Sequence, residues 1–214
     1  MIYDIQGRDL SDEAKEINNF FLCKKNIYSS AIRVIETKLK NLLEEYVSKN
    51  VRNPIHQIKT RVKSPQSIMN KMLKRGLDFS VKSACENLSD IAGIRIICSY
   101  IEDIYMIAGF IASQDDLKVY RISNYIKNYK PNGYRSLHII LSVPISLSTT
   151  TEEVKVEIQI RTVGMHYWAS LEHELSYKFP KGKSEDVVKE LRYCADIIAE
   201  IDFRMQRLYN TKNT

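Results

Sequence analysis

The stretch VKVEIQIR, residues 154–161, constrains the fold more than any other segment. Val154, Val156, Ile158 and Ile160 alternate without exception with Lys155, Glu157, Gln159 and Arg161. Successive side chains of a strand point to opposite faces, so this segment belongs in a sheet with its apolar face on a core. The other face carries an acid, an amide and two cations. It is either plain solvent-exposed surface or the wall of a cleft, and alternation alone does not choose.

Three further segments bear on that choice. In TRVKS, Arg61 and Lys63 share a face. In SDIAGIR, Asp90 stands just before an apolar strand in which Arg95 points away from Ile94 and Ile96. An arginine buried there without a partner would be costly, so it should face a cleft or an anion. One sheet face then collects two carboxylates, Asp90 and Glu157, together with several cations. Two carboxylates can hold Mg²⁺ and cations can hold phosphate oxygens, which suits phosphoryl or pyrophosphoryl transfer. The third segment, KPNGYRSLH (130–138), combines a turn at Asn132-Gly133 with Lys130, Tyr134, Arg135 and His138. By composition alone it is a basic turn between strands.

The remaining chain supplies helices around such a sheet. Apolar residues at three- and four-residue steps (Ile27, Ala31, Val34, Ile35, Leu39, Leu42, Leu43, Tyr46) predict helix over 11–50, broken near 26–29 and ended by Asn53-Pro54. Residues 55–62 read as a strand. Ser64-Pro65 starts a helix that Gly76 stops, and a short helix over 80–87 follows. A strand ending at Cys98, a helix EDIYMIAGFIAS and a strand LKVYRISNYI come next. LHIILSVPI and VKVEIQIRT then form a hairpin across a flexible SLSTTTEE loop. Helices over 163–178, with Trp168 and Leu171 towards the core, and over 184–210 close the chain. The last carries a seam of Val187, Leu191, Cys194, Ile198, Ile201, Met205 and Leu208, to be covered by the N-terminal helix or by a second subunit. The expected fold class is α+β: a mixed sheet of about five strands with flanking helices. Its expected divisions are N-terminal helices over 1–52, a catalytic core over 53–178 and a C-terminal helix over 179–214.

Composition excludes more than it selects. With 44% apolar and 27% charged residues the chain reads as soluble and globular. No run approaches the ~18 apolar residues of a membrane span, and no signal peptide is visible, so a cytoplasmic location is expected. A net charge of +6 suits nucleotides, RNA or an anionic surface. The four cysteines are too far apart for a CxxC pair and read as free, half-buried thiols. There is no GxxxxGK[ST] and no GxGxxG, which argues against Walker and Rossmann sites. None of the four histidines (His56, His138, His166, His173) sits in HExxH or directly precedes Asp, so no His-Asp hydrolase site is visible.

Taken together, RVKSPQSIMNKM, DIAGIRI, KPNGYRSLH, and VEIQIRT with WASLEHELSYK resemble the synthetase domain of the RelA/SpoT homologue family, in family order from Arg61 to Lys178. The chain's length looks like that of the stand-alone small alarmone synthetases. The resemblance implies a nucleotidyltransferase fold of the polymerase-beta type and transfer of pyrophosphate from ATP to the 3′-hydroxyl of GDP or GTP. It implies Mg²⁺ held by Asp90 and Glu157, with Glu157 orienting or deprotonating the acceptor hydroxyl. It places ATP on Arg61, Lys63, Ser67, Lys71 and Arg95, the two arginines sandwiching adenine. The acceptor falls to Lys130, Asn132, Tyr134, His138 and Gln159, with Tyr134 stacking on guanine. Arg161, Glu172 and His173 are further candidates. The resemblance also implies a homo-oligomer, for example a tetramer, assembled through terminal helices, with (p)ppGpp or RNA as candidate regulators. The competing expectations are an RNA- or nucleotide-binding regulator without chemistry, to which facing carboxylates would bring nothing, and nucleotidyl transfer to RNA.

Overall fold

The computed structural model describes residues 9–178 and 184–211, so the expected division at residue 179 falls outside the described residues. Five strands form one mixed sheet: β1 (Ile55–Val62), β2 (Ala92–Cys98), β3 (Lys118–Asn124), β4 (Leu137–Ser146) and β5 (Thr151–Thr162), ordered β1-β2-β5-β4-β3. β2 and β5 run parallel at the centre, and every other pairing is antiparallel.

The alternation in β5 does what its sequence requires. Val154, Val156, Ile158 and Ile160 are buried with Ile94 and Ile96 of β2 and Ile139, Leu141 and Val143 of β4. Two helices cover this face: α1 (Ser11–Ser48), through Ala31, Ile35 and Leu39, and α4 (Ile101–Ala112), through Ile104, Ile107 and Ile111. α1 is unbroken where an interruption is expected near 26–29; Asn26 and Ser30 remain inside the ladder, the Ser30 hydroxyl donating to the Asn26 carbonyl. Its N-terminal half (Ala14, Ile17, Phe21) packs instead on α2 (Pro65–Arg75) and α3 (Val81–Asn87). One helix therefore ties two apolar clusters together.

The punctuation of α2 is as expected. The Ser64 hydroxyl caps its start, and Gly76 ends it in the left-handed region, at φ 60°. The β4–β5 connection is tighter than a flexible eight-residue loop. β5 begins at Thr151, and the Leu147 amide donates to the Thr150 carbonyl across the turn.

α5 (Val163–Lys178) and α6 (Glu185–Thr211) pack on each other, and α6 also rests on α4 rather than sharing its seam with α1. The buried face of α6 runs through Leu191, Ala195 and Gln206. Trp168 is buried and donates to the Leu191 carbonyl, the Thr162 hydroxyl donates to Asp202, and the Glu102 amide donates to Gln206. The expected seam holds in its first half, where Val187, Leu191 and Ile198 pack with Trp168 although Cys194 is exposed; beyond it Ile201, Met205 and Leu208 are exposed, with Ile197 and Phe203 beside them. Leu171, expected in the core, is also exposed. Of the four free thiols only Cys98 is buried. Among the described residues no helix is long and apolar enough to cross a membrane.

Candidate active site

The helices leave the second sheet face open, and strand register arranges its side chains into two rows. One row runs Arg61, Gly93, Glu157, Ile140, Arg121; the next runs Lys59, Arg95, Gln159, His138, Ser123. Gly93 puts no side chain between Arg61 and Glu157, which leaves the floor of a cleft. That cleft, about 200 Å³, is lined by Lys59, Arg61, Asp90, Gly93, Arg95, Glu157 and Gln159. A wider basin of about 570 Å³ opens beside it, bordered by Lys71, Arg75, Arg121, Lys155 and the same two carboxylates. Asp90 and Glu157 thus stand where two basic depressions meet.

Asp90 follows α3 and precedes β2, where it meets two lysines. Lys63, just after β1, and Lys71, in the second turn of α2, both donate to its Oδ2, the latter at 2.6 Å. Burial opposes ionisation of Asp90, but the hydrogen bonds and charges of Lys63 and Lys71 outweigh it and hold the carboxyl below its usual range. On Lys63 burial is the stronger influence, and with Lys71 alongside it lowers the ammonium's pKa despite the Asp90 partner. Two cations face one anion, so the corner keeps a net positive charge for phosphate. The second oxygen, Oδ1, is buried and has no hydrogen-bond partner.

Glu157 belongs to a closed ring of side chains. Its Oε2 accepts from Gln159 at 2.9 Å and its Oε1 lies 3.5 Å from His138 Nδ1. His138 Nε2 is 2.8 Å from the Tyr134 hydroxyl. Buried Arg161 donates to that hydroxyl at 2.5 Å and to Gln159 Oε1 at 2.8 Å, closing the circuit. Burial raises the Glu157 pKa, yet the His138 contact and the Gln159 hydrogen bond together bring it below the usual range. Both carboxylates are therefore ionised at neutral pH.

The structure brings most of the expected residues to this face. Arg61, Arg95, Asp90, Glu157 and Gln159 line the cleft, with Lys63 and Lys71 against Asp90. Arg95 is a buried-strand arginine whose Nε has no partner, as its sequence setting demands of a cleft residue; burial, then Arg161 nearby, lowers its pKa. Lys130 lies 4.9 Å from the Tyr134 ring centroid, and Arg161 lies at the same distance. Asn132 turns inward on the loop, its Oδ1 accepting the Tyr134 amide. Ser67 is exposed and shares its hydroxyl with the cap residue Ser64. Glu172 and His173 lie on α5 and line neither depression.

Several residues of the face were not singled out in the sequence. Lys59 has the same strand parity as Arg61 and Lys63 and could have been read from it. Arg75 and Arg121 gave no such signal. His166 of α5 sits near Lys59, Arg95 and Arg161; burial and these cations push its pKa down to about 4, and its Nδ1 has no partner.

A half-covered mixed sheet carrying two ionised carboxylates among cations suits phosphoryl-group transfer, as in transferases of the nucleotidyltransferase type. Residues 60–182 match the family model described as the region found in RelA / SpoT proteins. The chain belongs to the RelA/SpoT family. It is 39% identical over 194 residues to GTP pyrophosphokinase YwaC of Bacillus subtilis, covering 91% of this chain and 92% of that protein. Among solved structures, small alarmone synthetase 2 from Bacillus subtilis aligns with a TM-score of 0.77 at 41% identity, over 88% of this chain and 97% of that one. Small alarmone synthetase 1 from the same organism, bound to its product pppGpp, aligns with a TM-score of 0.84 at 28% identity, over 94% and 100%.

Proposed function

We propose that this chain is a (p)ppGpp synthetase that moves the β,γ-pyrophosphate of ATP to the 3′-hydroxyl of GDP or GTP. The observation that carries this reading is the pair of ionised carboxylates shared by two basic depressions on one sheet face. The pyrophosphokinase relative and the pppGpp-bound neighbour support it.

In this reading the donor triphosphate lies along Arg61, Lys63, Ser67 and Lys71, with adenine between Arg61 and Arg95. The acceptor lies on the Tyr134 side, held by Lys130, Asn132, His138 and Gln159. Glu157 takes the proton from the 3′-hydroxyl as its oxygen bonds to the β-phosphorus. The bond from that phosphorus to the α,β-bridging oxygen breaks, and AMP leaves. His138 and Gln159 hold the carboxylate in place, and Arg161 fixes Gln159 and Tyr134.

The site fits Mg²⁺. Asp90 Oδ1 is buried without a partner, both acids offer hard oxygen ligands, and Mg²⁺ is commonly held by one or two carboxylates plus substrate phosphates. Asp90 and Glu157 would hold the ion, which supplies charge neutralisation on the phosphates when bound.

Incubation with ATP, Mg²⁺ and GMP, GDP or GTP, resolved by anion exchange, is expected to yield the 3′-pyrophosphorylated nucleotide and AMP. ADP in place of AMP, or no new nucleotide, would sink the assignment. The exposed Ile197, Ile201, Met205 and Leu208 of α6 support docking of a second copy. Ile201→Glu is expected to shift sedimentation to a smaller species; an unchanged sedimentation coefficient would remove α6 from the interface.

A further inference from the structure

The loop carrying Tyr134 is fastened to α6 as well as to the sheet. Gly133 stands in the left-handed region at φ +91°, so close to the helix that a Cβ there would lie 2.5 Å from the Ala195 Cβ and 3.3 Å from the Arg192 Cα. Arg135 reaches across, donating to Asp196 Oδ1 at 2.7 Å and to the Ala195 carbonyl at 3.2 Å. It also donates back to the Gly133 carbonyl at 3.1 Å. Arg192 donates to Asp196 Oδ2 at 3.0 Å and, more weakly, to the Pro131 carbonyl at 3.4 Å. Both guanidiniums lie on Tyr129, their carbons 4.4 Å and 4.2 Å from the ring centroid.

One carboxylate thus holds together two arginines that would otherwise repel each other across a single ring. Asp196, Arg192 and Tyr129 line neither of the depressions at Asp90 and Glu157. Their direct connection to the site is the loop, where Gly133 and Arg135 flank Tyr134. We propose that Asp196 is a positioning residue for the acceptor nucleotide: by clamping Arg135 to α6 it sets the place of Tyr134 and Lys130. The proposal rests on the acceptor assignment above.

Without the clamp the loop gains conformers, and acceptor binding must bear the cost of ordering it. The donor side, built on β1, β2 and α2, is untouched. Half of the Asp196 side chain is exposed, at 47%, which moderates the effect. Asp196→Ala is therefore expected to raise the KM for GDP or GTP about three- to tenfold, with the ATP KM and kcat within about twofold. Asp196→Glu should recover most of the loss.

The test is initial-rate kinetics with each substrate varied, alongside calorimetric binding of GDP and of a non-hydrolysable ATP analogue. An equal rise in both KM values, or no rise in either, overturns the clamp. GDP binding that the wild-type chain lacks altogether would instead overturn the acceptor assignment. Should Asp196→Ala fail to fold, Tyr129→Leu, at an exposed position, decides the matter: a selective rise in acceptor KM supports the clamp and an unchanged value refutes it.

Discussion

Glu157→Gln is expected to abolish pyrophosphate transfer while leaving both substrates bound. Glutamine keeps the shape of the side chain and can still pair with Gln159 and His138, so the ring through Arg161 and Tyr134 has no reason to open. What disappears is the anionic oxygen proposed above as the base for the acceptor hydroxyl. Loss of a positioned general base typically costs ~10²–10⁴ in rate. The fall should appear in kcat for AMP release, with nucleotide affinities within a fewfold and the melting temperature nearly unchanged. Substantial residual turnover would show that Glu157 only braces its neighbours. The pH profile offers a second reading. Its depressed pKa keeps Glu157 ionised at neutral pH. The wild-type kcat/KM should therefore fall only as pH drops below the ordinary glutamate range, when the base takes up its proton.

The parts of this site that were legible in the sequence are those that a strand's period-two geometry dictates. Alternation in VKVEIQIR placed Glu157, Gln159 and Arg161 on one face, and an arginine within AGIRIIC demanded an opening for Arg95. The Ser64-Pro65 start and Gly76 stop set α2 correctly because caps are local chemistry. Longer-range facts were less accessible. Nothing local distinguishes parallel from antiparallel pairing of β2 and β5, yet that register alone sets Gly93 beside Glu157 and Arg95 beside Gln159. The burial of Arg161 beneath Tyr134 is a tertiary outcome of the same kind. In α6 the apolar spacing chose the right face for Val187, Leu191 and Ile198 but not for the C-terminal half of the helix. Polar Asp202 and Gln206 turn inward because Thr162 and the Glu102 amide supply partners, leaving Ile201 and Met205 outside. Apolar spacing finds a seam, but it does not report which polar residues have buried partners waiting.

Asp90→Asn is the second large effect, and it separates binding from chemistry in a different way. Wild-type Asp90 neutralises part of the charge on Lys63 and Lys71 and keeps one buried oxygen unpartnered. Asparagine removes the anion but not the cations. Metal-free binding of ATP should then hold or tighten, because two ammoniums are released towards phosphate. Turnover with Mg²⁺ should nevertheless collapse by on the order of 10²–10³ or more, the scale on which one lost electrostatic partner acts in a dry site. The same change carries a stability signature. A carboxylate with a depressed folded pKa contributes stability above its unfolded value and loses it as pH falls through the folded one. The variant should therefore melt below the wild type at pH 7, by roughly 1–3 kcal/mol for an uncompensated partly buried cation pair. The gap should begin to narrow below about pH 4, where the unfolded chain's carboxyl takes up its proton, and close as pH falls through the depressed value of folded Asp90. A pH-independent gap would mean that packing, not charge, underlies the loss. Retained turnover would remove Asp90 from the metal and phosphate chemistry altogether.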